Sequence, residues 1–314
     1  MFKKLFIALV FSSATFVWSG SSFADGHCQG STMNDGQTGG KYPQQYELSE
    51  YESAADCTMK FSDNPNIASI NATIQGNPGS LPSVEDRLPD EPLVVVPYES
   101  IGKYGNTINF LSNATEAGTS DMLSTRHVNL LRFADDLTTI VPNVAKDYEW
   151  NDDFTTLTFM LRKGHKWSNG EPFVARDVEF WYEDLMMNTN IREKPYPYLL
   201  VGGEPMTVDV IDDQTVRFNL PSPFPGLTAT IAWSYNQFFM PSHFLEQFHP
   251  EIDSNADANA QALGFENGYD ALAAYYGNSG WTDTPTPLLA RPDLVAGLPY
   301  AAYPSLEAYM TIED

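Results

Sequence analysis

Positive charge is what this chain has least of. Seventeen lysines and arginines stand against 41 aspartates and glutamates in 314 residues, a formal net charge of −24. Nucleic-acid phosphates need a basic surface, so this balance argues against nucleic-acid binding and disfavours adhesion to anionic lipid. The acidity itself speaks to solubility, not to fold. Cysteine is nearly absent: Cys28 and Cys57 are the whole supply. Two thiols cannot build a multi-bridge scaffold. The five histidines, His27, His127, His165, His243 and His249, fall in no ligand pattern, so no metal site is expected. Past the first two dozen residues no run has the length and apolarity to cross a membrane. The chain also lacks a G-x-S-x-G elbow, an H-E-x-x-H pair, a P-loop and a G-x-G-x-x-G loop. No cofactor is implied, and the chain is not expected to be an enzyme.

The N-terminus sets the compartment. Lys3 and Lys4 precede an apolar stretch from Leu5 to Trp18, and Ser22-Phe23-Ala24 offers small residues where a signal peptidase reads. Residues 1–24 therefore read as a secretory signal peptide, and the mature chain as periplasmic. Ser12, Ser13 and Thr15 interrupt the core, against a membrane anchor. In an oxidising compartment the expectation for Cys28 and Cys57 is a disulfide. It would staple a segment with little core of its own.

At this length the chain could hold two domains. Residues 25–92 read as a polar extension, rich in Gly, Asn, Ser and Pro. Gly30 to Gly40 is expected to be unstructured, and a short helix is expected around Ser49 to Met59. Residues 93–314 read as the main domain. Within it, Leu157, Phe159 and Leu161 alternate with Thr156, Thr158, Met160 and Arg162, the period of a half-buried strand. Asn169-Gly170 is a turn dipeptide. Val178, Trp181, Tyr182 and Leu185 then fall on one helical face. Val208 and Val210, then Val216, Phe218 and Leu220, alternate around Asp212-Asp213-Gln214 as a hairpin. Pro221, Pro223 and Pro225 end the sheet. A helix is expected from Leu227 to Asn236, another opening at Pro241, and a third from Ala256 to Tyr276.

The order LRKGHKWSNGEPFVARDVEF (161–180) resembles the signature of the family 5 extracellular solute-binding proteins, receptors that feed oligopeptides and related solutes to ABC transporters. Pro142, Ala145, Trp150 and Asp152-Asp153 fit that family's preceding run, VDVIDDQTVRFNLPSPFP its hairpin and Pro-rich step, and FFMPSHFLEQF its next landmark. The likeness extends from about residue 81 onward. It implies an α/β fold: lobe I of a periplasmic binding protein of type II, with a subdomain inserted at about 123–205 and the second lobe missing from the chain. The chain is thus expected to be the front portion of a longer receptor, monomeric, with an ABC transporter permease as partner and an oligopeptide as solute.

The resemblance places ligand contacts in loops at strand ends. Thr107 to Phe110 would form the first strand of the lobe. Beyond it Asn113 would hydrogen-bond a peptide backbone and Glu116 would hold an ammonium group. Trp233 or Tyr235 would supply a flat apolar platform, with Asn236 beside them. Trp167, Gly170, Pro172 and Asp177 read as fold determinants, with Trp167 packed onto the strand. The family usually has a hydroxyl residue where Val174 stands, so its helix is expected to lack an N-cap worth about 0.5–2 kcal/mol. Two other readings remain: a secreted glycoside hydrolase with two distant carboxylates, and an acidic surface protein without a small ligand.

Overall fold

Period-two alternation builds the centre of the molecule. The computed structural model describes residues 28, 32–36, 38–62, 64–66, 83–100, 102, 128–167, 170–234 and 237–276. Its elements run β1 (Gln45–Glu47), α1 (Leu48–Ala55), α2 (Val84–Arg87), β2 (Leu93–Val95), β3 (Leu131–Phe133), β4 (Ile140–Pro142), β5 (Ala145–Trp150) and β6 (Thr156–Leu161). Then come α3 (Ala175–Glu179), β7 (Leu200–Val201), β8 (Glu204–Pro205), β9 (Thr207–Asp212), β10 (Thr215–Asn219), α4 (Leu227–Trp233), α5 (Ser242–Leu245), α6 (Ala256–Ala262) and α7 (Gly268–Tyr276).

Strands β5, β6, β10 and β9 form one antiparallel sheet in that order. Leu157 faces Phe218 and Phe159 faces Val216 across the β6–β10 ladder. All four side chains are fully buried, and the Phe159 and Phe218 rings meet edge to face at 5.9 Å. The subdomain boundary expected near Pro205 is not a packing boundary among the described residues. Strands from both sides of it share this sheet, and one hydrophobic core runs from Val128 to Leu272. Strand β9 has a neighbour on one side only among the described residues. There the Val208 N–H donates to Glu183 Oε1 at 2.8 Å, while Val210 and Ile211 stay exposed.

Helix α3 and its continuation lie over the sheet. The expected apolar face, Val178, Trp181, Tyr182 and Leu185, is fully buried, but so are Phe180 and Met186. From Phe180 to Met186 the winding loosens to a π-helix, and three consecutive aromatics bury together there. The expected single helix from Ala256 to Tyr276 is two. Gly264, at φ +86°, ends α6, and Asn267 turns the chain into α7 by accepting from the Asp270 N–H.

The N-terminal extension docks on the same sheet. Strand β1 pairs with β2, so the ladder crosses the boundary expected at residue 92. Cys28 and Cys57 are joined by a disulfide and lie against a small core of Tyr46, Tyr51 and Val96. Met33 to Asp35 forms a 3-10 turn whose Met33 and Asn34 N–H groups donate to Pro97 and Tyr98 carbonyls. The described part of Gly30 to Gly40 is therefore structured. Arg162, expected to point outward with the threonines of β6, is 1 % exposed. The extension covers it: Arg162 Nη1 pairs with Glu47 Oε2 at 2.6 Å and donates to the Glu91 carbonyl at 2.9 Å. Tyr42 Oη and Lys41 Nζ both reach the Asp147 carboxylate on β5.

Breaking a buried ion pair strands its other half. Glu47→Ala is expected to cost about 3–5 kcal/mol in urea unfolding. Arg162→Met, which removes the buried charge itself, is expected to cost less; equal losses would mean the pair does not hold the extension down.

Candidate functional site

The turn before α3 is built around one carboxylate. Gly170 takes φ +87°, and its N–H donates to the Trp167 carbonyl, closing the turn. Asn169 lies outside the described residues. Trp167 is buried in the same core as the β6 side chains. Its ring sits edge-on to Phe173 and Phe239, and its Nε1 donates to Asp177 Oδ2 at 2.8 Å. The Val174 N–H also donates to Oδ2, at 2.9 Å. Ser242 gives both its N–H and its hydroxyl to Oδ1, at 2.9 and 2.6 Å. Val174 has no side-chain acceptor and caps nothing, as expected. Asp177 supplies the reciprocal half of a capping box by reaching back to it. Nearby His165 is buried. Burial first, then the charges of Arg162 and Lys166, push its pKa down to about 3, so it stays neutral.

The other end of this helix fastens a second segment. Tyr182 Oη donates to the Leu199 carbonyl at 3.0 Å and accepts from the Met206 N–H at 2.8 Å. Burial pushes that phenol up to about 12. Leu199 closes a 3-10 turn that carries Tyr198. Tyr198 stacks on Tyr196, with centroids 5.2 Å apart and planes at 20°. The Arg192 guanidinium lies 3.7 Å over the Tyr196 ring. Across from them Trp233, last residue of α4 and 54 % exposed, is 6.2 Å from Tyr198 and inclined at 54°. Downstream of Trp233 the chain is pinned to the same helix, where the Met240 N–H donates to the Asp177 carbonyl. The Tyr198 wall of this aromatic shelf is therefore tied to the continuation of α3 through Tyr182.

Of the residues expected to touch ligand, Trp233 is on the shelf. Asn113, Glu116, Tyr235 and Asn236 lie outside the described residues, as does the strand expected at Thr107 to Phe110. Tyr196 and Tyr198 were not foreseen; their one signal was the alternation of aromatics with proline in Pro195-Tyr196-Pro197-Tyr198. Among the described residues no group of three or more His, Cys, Asp or Glu could hold a metal ion. Nor is any described helix long and apolar enough to cross a membrane.

Residues 139–271 match the family described as bacterial extracellular solute-binding proteins, family 5 Middle. The chain is 30% identical over 237 residues to a periplasmic alpha-galactoside-binding protein of Rhizobium meliloti, covering 68% of this chain and 33% of that one. A putative ABC transporter peptide-binding protein of Brucella ovis is 28% identical over 200 residues, covering 63% of this chain and 35% of that one. The fold matches a solved oligopeptide-binding protein OppA with a TM-score of 0.61 at 28% identity, over 74% of this chain and 35% of that one. It is thus the fold of a periplasmic binding protein lobe, and the chain spans about a third of the length of these relatives.

Burial raises the Asp177 carboxyl from 3.8 to about 6, against the pull of the Ser242, Val174 and Trp167 donors. The folded chain therefore keeps a proton that the unfolded chain has lost. Stability should decline as pH rises through that window, by up to about 3 kcal/mol. Asp177→Asn is expected to abolish this component. Its amide would also face the Trp167 and Val174 donors, a further loss of about 1–3 kcal/mol for each one orphaned. Denaturant unfolding of both forms at pH 4, 5, 6 and 7 checks this; parallel pH profiles would contradict it.

Proposed function

We propose that the chain is part of the solute-binding component of an ABC importer. Signal peptide 1–24 exports it to the periplasm, where it captures a solute and passes it to the membrane permease. It binds the solute and does not transform it. The observation that carries this reading is the family 5 match across the sheet, α3 and α4, together with the likeness to OppA. In a receptor of this kind the solute is gripped between two lobes. Its power to close them is limited by its differential affinity for the closed form.

An oligosaccharide of the α-galactoside kind is the solute class we favour. It is supported by the Rhizobium relative, which aligns over 68% of the chain, and by an exposed tryptophan at the C-terminal end of α4. Oligopeptide is the second reading, favoured by the Brucella relatives and by OppA. Calorimetric titration of the protein, expressed from its whole reading frame, against raffinose, melibiose and a tripeptide series separates the two. Saturable heat with the galactosides alone is expected. Binding of tripeptides alone would favour the second reading, and heat with neither class would remove the receptor role.

A further inference from the structure

We infer that Trp233 and Tyr198, with Tyr196 and Arg192 stacked behind Tyr198, form a shelf that holds one pyranose ring of the solute, an inference that rests on the receptor reading above. The argument is chemical. A pyranose is a polyol with one apolar face, made of its axial C–H groups, and a rim of hydroxyls. Its natural surface is a set of partly exposed aromatic rings with hydrogen-bonding groups at their edges. Tyr196 and Tyr198 are only partly buried and lie parallel, while Trp233 stands at an angle to them. The shelf therefore offers two ring planes that diverge by 54° beside each other. Trp233 is the most exposed tryptophan or tyrosine among the described residues, although the same helix buries Leu227 and Ile231 completely. Leaving so large a ring half in water forfeits burial energy that a core position would have returned.

Arg192 supplies the rim. Its Nη2 donates to Tyr196 Oη, and its guanidinium carbon lies over the Tyr196 ring. Among the described residues it forms no ion pair, which leaves guanidinium N–H groups to donate to sugar hydroxyls. A peptide asks for different things: an open strand edge for its main chain and pockets for alternate side chains. The strand nearest the shelf, β7, is two residues long, so it offers little main chain to such a ligand. The carbonyl of Leu199, next to Tyr198, is tied to the Tyr182 hydroxyl, which limits the ordering cost of binding on that side.

Three variants of the protein, expressed from its whole reading frame, test the shelf: Trp233→Ala, Tyr198→Ala and Trp233→Phe. Each is titrated with raffinose and with a tripeptide, and far-ultraviolet circular dichroism confirms that it stays folded. Both alanine variants are expected to weaken raffinose roughly tenfold, with Trp233→Phe recovering most of the loss because it keeps a ring. Raffinose binding unchanged in the folded variants would overturn the shelf and leave the receptor reading intact. A wild type that binds only the tripeptide would overturn the saccharide assignment. A wild type that binds neither would overturn shelf and receptor together.

Discussion

Asp177 receives four hydrogen bonds from three directions, and most of the described architecture is arranged by them. Oδ2 ties the preceding turn, through Trp167 and Val174, and Oδ1 ties a segment 65 residues downstream through Ser242. A fully buried carboxylate is costly unless its lone pairs are filled, and here each oxygen takes two donors. The continuation of the helix it starts packs Tyr182 against Phe218 of the sheet and Trp181 against Phe238, with ring centroids 6.0 and 4.4 Å apart. One short helix thus fixes the positions of segments that would otherwise have only loop connections.

The extension is held by different physics. Its own core is three side chains, too few to order it, so the disulfide and the polar seam to the sheet share the task. Arg162 is central to that seam. A guanidinium at this depth needs a carboxylate, and Glu47 comes from the last residue of β1. Gly164, two residues on at φ +77°, lets the 83–92 segment pass: a Cβ there would lie 2.5 Å from Asp90 Oδ1.

Local pattern was readable wherever one face of an element is buried. Alternation at 156–161 and 215–219 named the core strands, and the prolines after Leu220 marked the end of the sheet. What sequence did not disclose were pairings across long separations. Nothing near Arg162 announces that Glu47 will cover it, and nothing in Ser242 announces Asp177. The helix break at Gly264 was available in the glycines at 264 and 268, but the apolar spacing on either side outweighed them. The shelf was half legible. An isolated tryptophan is an ordinary candidate for a binding surface, whereas Tyr196 and Tyr198 matter only because folding brings them against it.

Among the described residues β9 has one unpaired side. An open strand with Val210 and Ile211 exposed is a template for strands of neighbouring molecules. Lysines are the common guard at such margins, and this chain has few to spend. Glu183 instead occupies one backbone donor, and Asp209 and Asp212 add negative charge along the strand. Burial and neighbouring carboxylates already raise the pKa of Glu183. Mild acid should therefore discharge this guard first, and high salt should screen it, so self-association through β9 should rise under those conditions.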